Sequence, residues 1–288
     1  MLALLICACS KDCFPAMRRF SVSNHGPDIK NLSLFAFRKS DGMLEGASNS
    51  SRDSVSIRLV SGREYNLYLL ANAPKDFSDS ISQENEYLRE RTSLSENDPS
   101  SPLLFCSNLS YKAPEQEPVL ELKRFLCRIS IGSISVEWPT GTPCTIETIM
   151  LINACESTPL SGIPDGMGPR LNCPGAEDAL DDSVRDKLVW EGITRINDCS
   201  EVILDREFFS MPDPYGKTSL AVRINIAGCD NWYPVSLPQM DCNHDYRINC
   251  IVIKGPGSEG PGEDVSRESV SYVISVQPWE SSVITVDF

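Results

Sequence analysis

Apolar and polar residues alternate along much of the chain, and this period of two predicts β-strands. The alternation runs through residues 32–37 and 55–59, and in residues 65–70 it is combined with tyrosines, which favour strands. The segments 40–42 and 61–62 read SDG and SG, which are typical turn sequences. Each of the three alternating segments is therefore predicted to be a strand with one buried face.

The second half of the chain is also predicted to consist mainly of strands. Residues 119–122 and 125–136 continue the pattern, and Gly132 interrupts it, which predicts a bulge or a bend. Four later segments are predicted to form one antiparallel sheet with a solvent-facing side. They are residues 220–226, 246–253, 269–276 and 283–288.

Helical patterns are few and short. Residues 82–92 are predicted to form a helix that begins at Ser82 as the N-cap and lies over a sheet. One or two helical turns are predicted within residues 176–188. Residues 155–182 are rich in Pro, Gly and Asp, and they are predicted to be a long functional loop that carries binding specificity.

The many short strands predict an all-β fold with few short helices, built from β-sandwiches packed face to face. A length of 288 residues is enough for two cores of medium size. We therefore predict two sandwich domains, at residues 28–128 and 129–288, preceded by a leader at residues 1–27.

The charge of the chain excludes one class of binding partner. The chain has 26 Lys and Arg residues against 40 Asp and Glu residues, for a formal net charge of -14. Such an acidic protein repels the phosphates of nucleic acids, so no nucleic-acid partner is predicted.

Common catalytic and metal-binding motifs are also missing from the sequence. The 12 cysteines include no C-x-x-C pair, and the only two histidines, His25 and His244, stand in turn sequences. No G-x-S-x-G motif marks a nucleophilic serine. We predict no catalytic residues, no metal and no cofactor, and the pairing of the cysteines stays open.

Residues 1–9 read MLALLICAC, an apolar run that is too short to span a membrane and is typical of the end of a signal peptide. The last four of these residues resemble the lipobox of bacterial lipoproteins, in which the final cysteine receives the lipid. The resemblance implies that Cys9 is lipidated and that the mature protein lies outside the cytoplasm. A truncated signal segment without an anchor is the alternative.

A series of short motifs follows in the C-terminal half. Asn243 and Tyr246 belong to an N-x-x-Y strand, Gly255 and Gly257 to an I-x-G-x-G-S loop, and Trp279 to a V-x-x-W strand. In this order the motifs resemble the end of the fimbrillin-like proteins of Bacteroidales.

Earlier segments are similar to the same family. Residues 122–129 read LKRFLCRI and resemble its pattern L-x-R-x-x-A-[KR]-[VI], in which Arg124 matches and Cys127 replaces the usual Ala. Residues 29–37 and 68–72 look like strands of its first domain. The resemblance spans residues 29–288.

The resemblance implies a structural subunit of a type V pilus, a cell-surface fimbria, with two transthyretin-like sandwich domains and a lipid anchor in the outer membrane. In that family an arginine-directed protease removes the first strand, and the groove then accepts a strand from the next subunit. Arg18 and Arg19 are then the candidate cleavage sites. The implied partners are other fimbrial subunits, joined by strand addition, and a host or bacterial surface ligand.

Two questions stay open at the level of the sequence. Few residues separate Cys9 from Phe20, which leaves little room for a removable first strand of normal length, so a tip or anchor subunit is as compatible as a stalk subunit. The alternative from another class is a glycan-binding surface lipoprotein of a polysaccharide-uptake system, with a secreted hydrolase as a third. Exposure of Trp138, Trp190 or Trp232 in a cluster on one face would support the glycan-binding alternative, whereas their burial would exclude it.

Overall fold

The computed structural model describes residues 15–23, 29–78, 80–113, 119–138, 141–174, 180–196, 201–266 and 268–279. Most of them lie in strands, and the helices among them are short, so the predicted all-β fold is confirmed. In chain order the elements are β1 (Pro15–Ser23), β2 (Leu32–Arg38), β3 (Leu44–Ser50), β4 (Ser54–Val60), β5 (Glu64–Ala71), α1 (Glu84–Arg89), β6 (Arg91–Ser93), β7 (Leu104–Lys112), β8 (Val119–Glu121), β9 (Lys123–Arg124), β10 (Cys127–Val136), β11 (Cys144–Ile152), β12 (Ala154–Cys155), β13 (Ser157–Pro159), β14 (Arg170–Leu171), α2 (Asp182–Leu188), β15 (Val189–Ile196), β16 (Glu201–Ser210), β17 (Ser219–Ile226), β18 (Cys229–Ser236), β19 (His244–Ile253) and β20 (Val270–Pro278).

The described residues form two compact units. The first unit takes its residues from Met1–Glu90 and Leu103–Lys123, and the second from Arg91–Pro102 and Arg124–Glu280. The chain therefore leaves the first unit after Glu90 and returns to it at Leu103. The domain limits at residues 128 and 129 stay a prediction.

Two sheets enclose the core of the first unit. One has the strand order β3-β2-β5-β7-β9, and the other has the order β4-β1-β8. Alternate residues of β2, β4 and β5 point into this core, as the period of two predicts. The buried core residues are Phe20, Leu32, Leu34, Ala36, Val55, Ile57, Leu59, Tyr65, Leu67, Leu69, Ala71, Leu104, Tyr111 and Ala113.

The helix predicted at residues 82–92 is confirmed but is shorter. α1 lies over the five-stranded sheet, because Tyr87 of the helix packs against Phe35 and Tyr68, with ring centroids 5.4 and 4.6 Å apart. The N-cap is Gln83, so the prediction that Ser82 is the N-cap is wrong. Ser82 instead donates its backbone N–H to the carboxylate of Glu86 at 2.8 Å, which draws it into the entry turn.

The second unit contains two four-stranded sheets, with the orders β16-β10-β19-β20 and β15-β11-β17-β18. The prediction of one antiparallel sheet from 220–226, 246–253 and 269–276 is wrong, because β17 belongs to one sheet while β19 and β20 belong to the other. In addition, β10 and β19 run parallel. Alternation shows that each strand has one buried face, but it does not identify the neighbouring strand. The fourth predicted strand, 283–288, lies outside the described residues.

The bulge predicted at Gly132 is confirmed. The register of β10 with β16 shifts between Ile131 and Ser133. A Cβ atom at Gly132 would lie 2.6 Å from the carbonyl oxygen of Asn249 in β19. Glycine is therefore required here because two backbones approach closely.

The described part of the segment 155–182, residues 155–174 and 180–182, contains regular structure rather than a long loop alone. β13 pairs with β6, and β14 pairs with β12. Ion pairs hold the segment at two points, from Arg91 to Asp165 at 2.7 Å and from Arg170 to Asp213 at 2.8 Å. Met167 near its tip is 83% exposed. A role of this segment in binding specificity stays a prediction.

The helical turns predicted within residues 176–188 are confirmed as α2. Its N-cap is Asp181, whose carboxylate accepts the backbone N–H of Val184 at 2.9 Å. In the part of the chain that the structure describes, no helix has the length and apolar character needed to cross a lipid bilayer.

Candidate functional site

The first strand of the chain occupies the middle of the three-stranded sheet of the first unit. β1 runs antiparallel to β4 over residues 15–21 and parallel to β8 over residues 21–23. We call the space that β1 fills between β4 and β8 the β1 slot. Because both neighbours pair with β1, its loss would open two sheet edges and uncover the core beneath them.

Phe20 anchors β1 in the slot. Its side chain is fully buried, and its ring packs edge-on against Tyr111 with the centroids 5.3 Å apart. Val55, which lies opposite Phe20 in the register, is also buried. Burial of a side chain of this size contributes roughly 1.5–3 kcal/mol.

A charged residue takes the preceding core-facing position of β1. Arg18 lies opposite Ile57, and paired residues of an antiparallel sheet share a face. Ile57 is buried in the core, while Arg18 is half-buried and its Nε is buried with no hydrogen-bond partner among the described residues. A buried donor without a partner costs about 1–3 kcal/mol. β1 therefore fits the slot poorly at Arg18.

Arg19 points to the opposite face of the strand. Its side chain is exposed, and its guanidinium donates to the hydroxyl of Ser54 at 2.9 Å. Both candidate cleavage residues thus lie in the middle of a paired strand. The short leader accommodates nine strand residues because β1 continues through both arginines to Ser23.

A tyrosine closes the end of the β1 slot. Pro15 has no N–H to donate, and Val60 lies opposite it. The hydroxyl of Tyr65 accepts the N–H of Val60 at 3.0 Å and donates to the carbonyl oxygen of Val60 at 3.3 Å. Burial raises the pKa of Tyr65, so the hydroxyl keeps its proton and can make both bonds.

The poor fit of Arg18 is testable by substitution. We expect Arg18→Leu to stabilise the first unit by about 1–2 kcal/mol, because leucine removes the unpaired donor and adds apolar contact beside Ile57. The measurement is hydrogen exchange of the β4 backbone in urea. The matched control is Arg19→Leu on the exposed face, with a change of about 0.5 kcal/mol or less. A loss of stability in Arg18→Leu would contradict the assignment.

Three of the predicted motif residues meet in the second unit. The guanidinium of Arg124 lies over the ring of Trp279, 4.6 Å from its centroid. Asn243 accepts the N–H of Arg124 at its side-chain oxygen, at 3.3 Å, and the N–H of Trp279 at its carbonyl oxygen, at 2.7 Å. Its φ of 59° is a left-handed value that Asn tolerates. Asn243 therefore joins β9 to the residue that follows β20.

The other motif residues lie in β19 and in the loop that follows. Tyr246 is buried, and its hydroxyl accepts the N–H of Asp241 at 2.7 Å. The carbonyl oxygen of Gly255 accepts a hydrogen bond from a buried tyrosine at 3.0 Å. A Cβ at Gly257 would lie 2.6 Å from the carbonyl oxygen of Trp232. These contacts hold the second unit together and have no arrangement typical of a binding site.

Cys9 and His244 remain to be placed. Cys9 lies outside the described residues, so its lipidation stays a prediction. His244 lies at the start of β19, with Nδ1 2.8 Å from the carbonyl oxygen of Cys242. Across the described ranges, no group of three or more His, Cys, Asp or Glu side chains is placed to hold a metal ion.

Trp190 and Trp232, two of the three tryptophans of the glycan alternative, do not share a face. Trp190 and Trp232 lie in β15 and β18, which are the opposite edges of one sheet. Across this sheet Trp190 pairs with Ile149, Ile149 with Val222, and Val222 with Tyr233, so the side chains of Trp190 and Tyr233 share a face. Trp232 is next to Tyr233 in β18 and therefore points to the other face. An arginine lies over each ring, at 5.4 and 5.7 Å. Trp138 in the loop after β10 is partly exposed.

The sequence pattern did not predict β1, which is the element that matters most here. Ala16, Arg18 and Phe20 occupy its core-facing positions, so a charged residue interrupts the apolar row. The buried Phe20 between polar residues is the one local signal of a strand.

No protein-family model matches the chain, and no curated protein matches it in sequence. Among solved structures, the fold is similar to a candidate cell adhesion protein of Bacteroides eggerthii, with a TM-score of 0.68 and 14% identity, covering 93% of this chain and 97% of that one. A candidate cell adhesion protein of Parabacteroides distasonis has a TM-score of 0.66 and 12% identity, covering 93% and 99%. A fimbrial assembly protein of Parabacteroides distasonis has a TM-score of 0.52 and 10% identity, covering 93% and 100%.

These similarities extend over almost the full length of each chain. At such low identity they show a shared fold, and none of the three proteins is described as an enzyme. The predicted resemblance to fimbrillin-like proteins is confirmed at the level of the fold.

Proposed function

We propose that the protein is a structural subunit of a cell-surface fimbria that takes part in adhesion and has no catalytic activity. The observation that carries the proposal is the central position of β1, because a strand that pairs on both sides can be replaced by a strand of another subunit. The adhesion and fimbrial names of the structurally similar proteins support the same conclusion. Lipidation at Cys9 would attach the subunit to the outer membrane.

The register suggests how strand addition would work. Residues 15–19 pair with residues 56–60 of β4, so cleavage after Arg19 frees this part of the slot while Phe20 keeps its buried position. The uncovered core positions are Ile57 and Leu59, which lie opposite Arg18 and Ala16.

An incoming strand can fill these positions better than β1 does. Ala16 is small, and Arg18 leaves its Nε unpaired among the described residues. A strand with larger apolar side chains at the two positions would bury more area and would make the same backbone hydrogen bonds. This difference in fit supplies a driving force for exchange after cleavage.

Limited proteolysis of the full chain tests the proposal. We expect an arginine-specific protease to cut after Arg18 or Arg19 and the product to form oligomers, measured by intact mass and size-exclusion chromatography. A synthetic peptide of residues 15–19 in excess should suppress the oligomers, because it refills the part of the slot that cleavage frees. The same peptide with aspartate in place of Ala16 is the matched control and should suppress them much less, because it places a charge opposite the buried Leu59.

The possible outcomes test strand addition and cleavage at the two arginines separately. A cleaved product that stays monomeric would contradict strand addition. A chain with Arg18→Gln and Arg19→Gln should resist cleavage at β1 and stay monomeric. If the unchanged chain is not cut at either arginine, the prediction that the protein is processed at these residues is wrong. The protein would then be an anchor or tip subunit that functions without this cleavage.

A further inference from the structure

Two cysteines of the second unit lie next to each other where β10 begins. Cys127 is the first residue of β10 and is fully buried, and Cys242 is half-buried in the turn before β19. Both carry thiols in the structure. The Sγ of Cys127 lies 3.1 Å from the carbonyl oxygen of Asp241, which is the residue before Cys242.

Backbone contacts hold the two segments in register. The N–H of Asn243 donates to the carbonyl oxygen of Leu126 at 3.1 Å. With the contact of Cys127 to Asp241, standard peptide dimensions place the Sγ of Cys127 within about 6 Å of the Cα of Cys242. The two residues are therefore close enough that rotation of their side chains can bring the two sulfur atoms towards each other, as a disulfide requires.

The side chain of Cys242 must leave a hydrogen bond in order to rotate. The Sγ of Cys242 now contacts the carbonyl oxygen of Gly162 at 3.6 Å, which is a weak hydrogen bond of a thiol. Cys127 also stands at a position where the family resemblance leads us to expect a small alanine.

We propose that Cys127 and Cys242 form a disulfide when the protein meets a disulfide oxidant. The thiolate of Cys242 attacks one sulfur of the oxidant, forms a mixed disulfide and releases the first reduced thiol. The thiol of Cys127 then loses its proton and attacks the Sγ of Cys242, which releases the second reduced thiol. Two protein thiols are oxidised, and one oxidant disulfide is reduced to two thiols.

The order of the two steps follows from exposure. Cys242 is accessible to the oxidant, whereas Cys127 is sealed in the core. Burial, followed by the neighbouring Cys242, raises the pKa of Cys127, so this thiol reacts only after the mixed disulfide has formed beside it.

A third buried cysteine is a poorer partner. Cys155 contacts Met211 in an isolated bridge, while Cys127 pairs with Ser210, so this strand of the chain lies between the two cysteines. The experiment must therefore distinguish a disulfide between Cys127 and Cys242 from one between Cys127 and Cys155.

Peptide mapping of the full chain tests the proposal. The protein is incubated with oxidised glutathione, the remaining thiols are alkylated, and the chain is digested with trypsin. We expect the peptide of residues 125–128 to appear linked to the peptide of residues 224–247, lighter by two hydrogen atoms than the two together. The second peptide also contains Cys229, so the link must persist in Cys229→Ser and must be lost in Cys242→Ser.

A stability measurement provides the second readout. The bond would close a loop of about 115 residues, so oxidation should raise the melting temperature of the second unit by about 5–15 °C. Cys242→Ser should show no rise, and Cys250→Ser, a half-buried cysteine of β19, should behave like the unchanged chain. Alkylation of both Cys127 and Cys242 after oxidation, or a link from residues 125–128 to Cys155, would overturn the proposal.

Discussion

Replacing Asp213 with alanine should lower the free energy of unfolding of the second unit by about 3–5 kcal/mol. The carboxylate is completely buried and accepts two hydrogen bonds from the guanidinium of Arg170, at 2.8 and 2.9 Å. It also accepts the backbone N–H groups of Lys217 and Thr218, both at 2.7 Å. Its removal leaves a largely buried cation and several buried donors without their acceptor.

The effect is measurable by urea unfolding followed by tryptophan fluorescence. All four tryptophans lie in the second unit, so the signal reports on that unit. The matched control is Glu191→Ala, which breaks the exposed pair of Arg185 and Glu191 with an N–O distance of 2.7 Å. We expect about 0–1 kcal/mol there, because solvent screens an exposed pair. Equal losses in the two variants would show that burial does not set the strength of the Asp213 network.

The same carboxylate predicts a dependence on pH. Burial tends to raise the pKa of Asp213, but the hydrogen bonds from Arg170 and Thr218 outweigh burial and hold it well below the ordinary value of 3.8. The folded state therefore binds fewer protons than the unfolded state between the two pKa values. The contribution of Asp213 is complete above the ordinary value and is lost as the pH falls toward the folded value. The stability difference between the unchanged chain and Asp213→Asn should shrink from pH 7 to pH 3.

Phe20→Ala should destabilise the first unit by about 3–5 kcal/mol, because it leaves a cavity beside Tyr111 and Val55. Phe20 is the only residue of β1 that is fully buried among those whose exposure the structure describes. Loss of its contacts should release β1 from the slot. The measurement is hydrogen exchange of the backbone of residues 55–59, which should become much faster.

Met17→Ala is the matched control for this variant. Met17 lies in the same strand with its side chain 57% exposed, so we expect a change of about 0.5 kcal/mol or less. If Phe20→Ala leaves the exchange of β4 as slow as Met17→Ala does, β1 is not held by its core anchor. The assignment of Phe20 as the residue that anchors β1 would then be wrong.

Local patterns predicted eight of the twenty described strands and both helices. The strands β2, β4, β5 and β17 appear where the alternation placed them, because one buried and one exposed face force a period of two. Gly132 predicted its bulge because close backbone approach excludes a Cβ atom. The helical patterns placed α1 and α2, although α1 begins later than predicted.

Pairing between strands was not predictable in the same way. β17 was placed in a sheet with β19 and β20, but it pairs with β11 and β18. Alternation reports which face of a strand is buried and contains no information on which strand lies beside it. The parallel pairing of β10 with β19 joins residues about 117 positions apart, which a local pattern does not contain.

The candidate site was also predictable from the sequence only in part. Arg18 and Arg19 were identified as cleavage candidates from their sequence, but their opposite orientations and the unpaired Nε of Arg18 depend on the register of β1 with β4. The proximity of Cys127 and Cys242 is likewise a consequence of how β10 lies beside the turn before β19.

The sequence by itself determined an all-β chain with short helices, the positions of eight of the twenty described strands and the absence of recognisable catalytic motifs, because burial of one face and the needs of turns act over a few neighbouring residues. Only the tertiary structure decided that β1 lies in the middle of a sheet, which residues it covers and how Asn243 joins β9 to the residue after β20. These features depend on contacts between residues far apart in the chain, and such contacts are selected by the packing of the complete core.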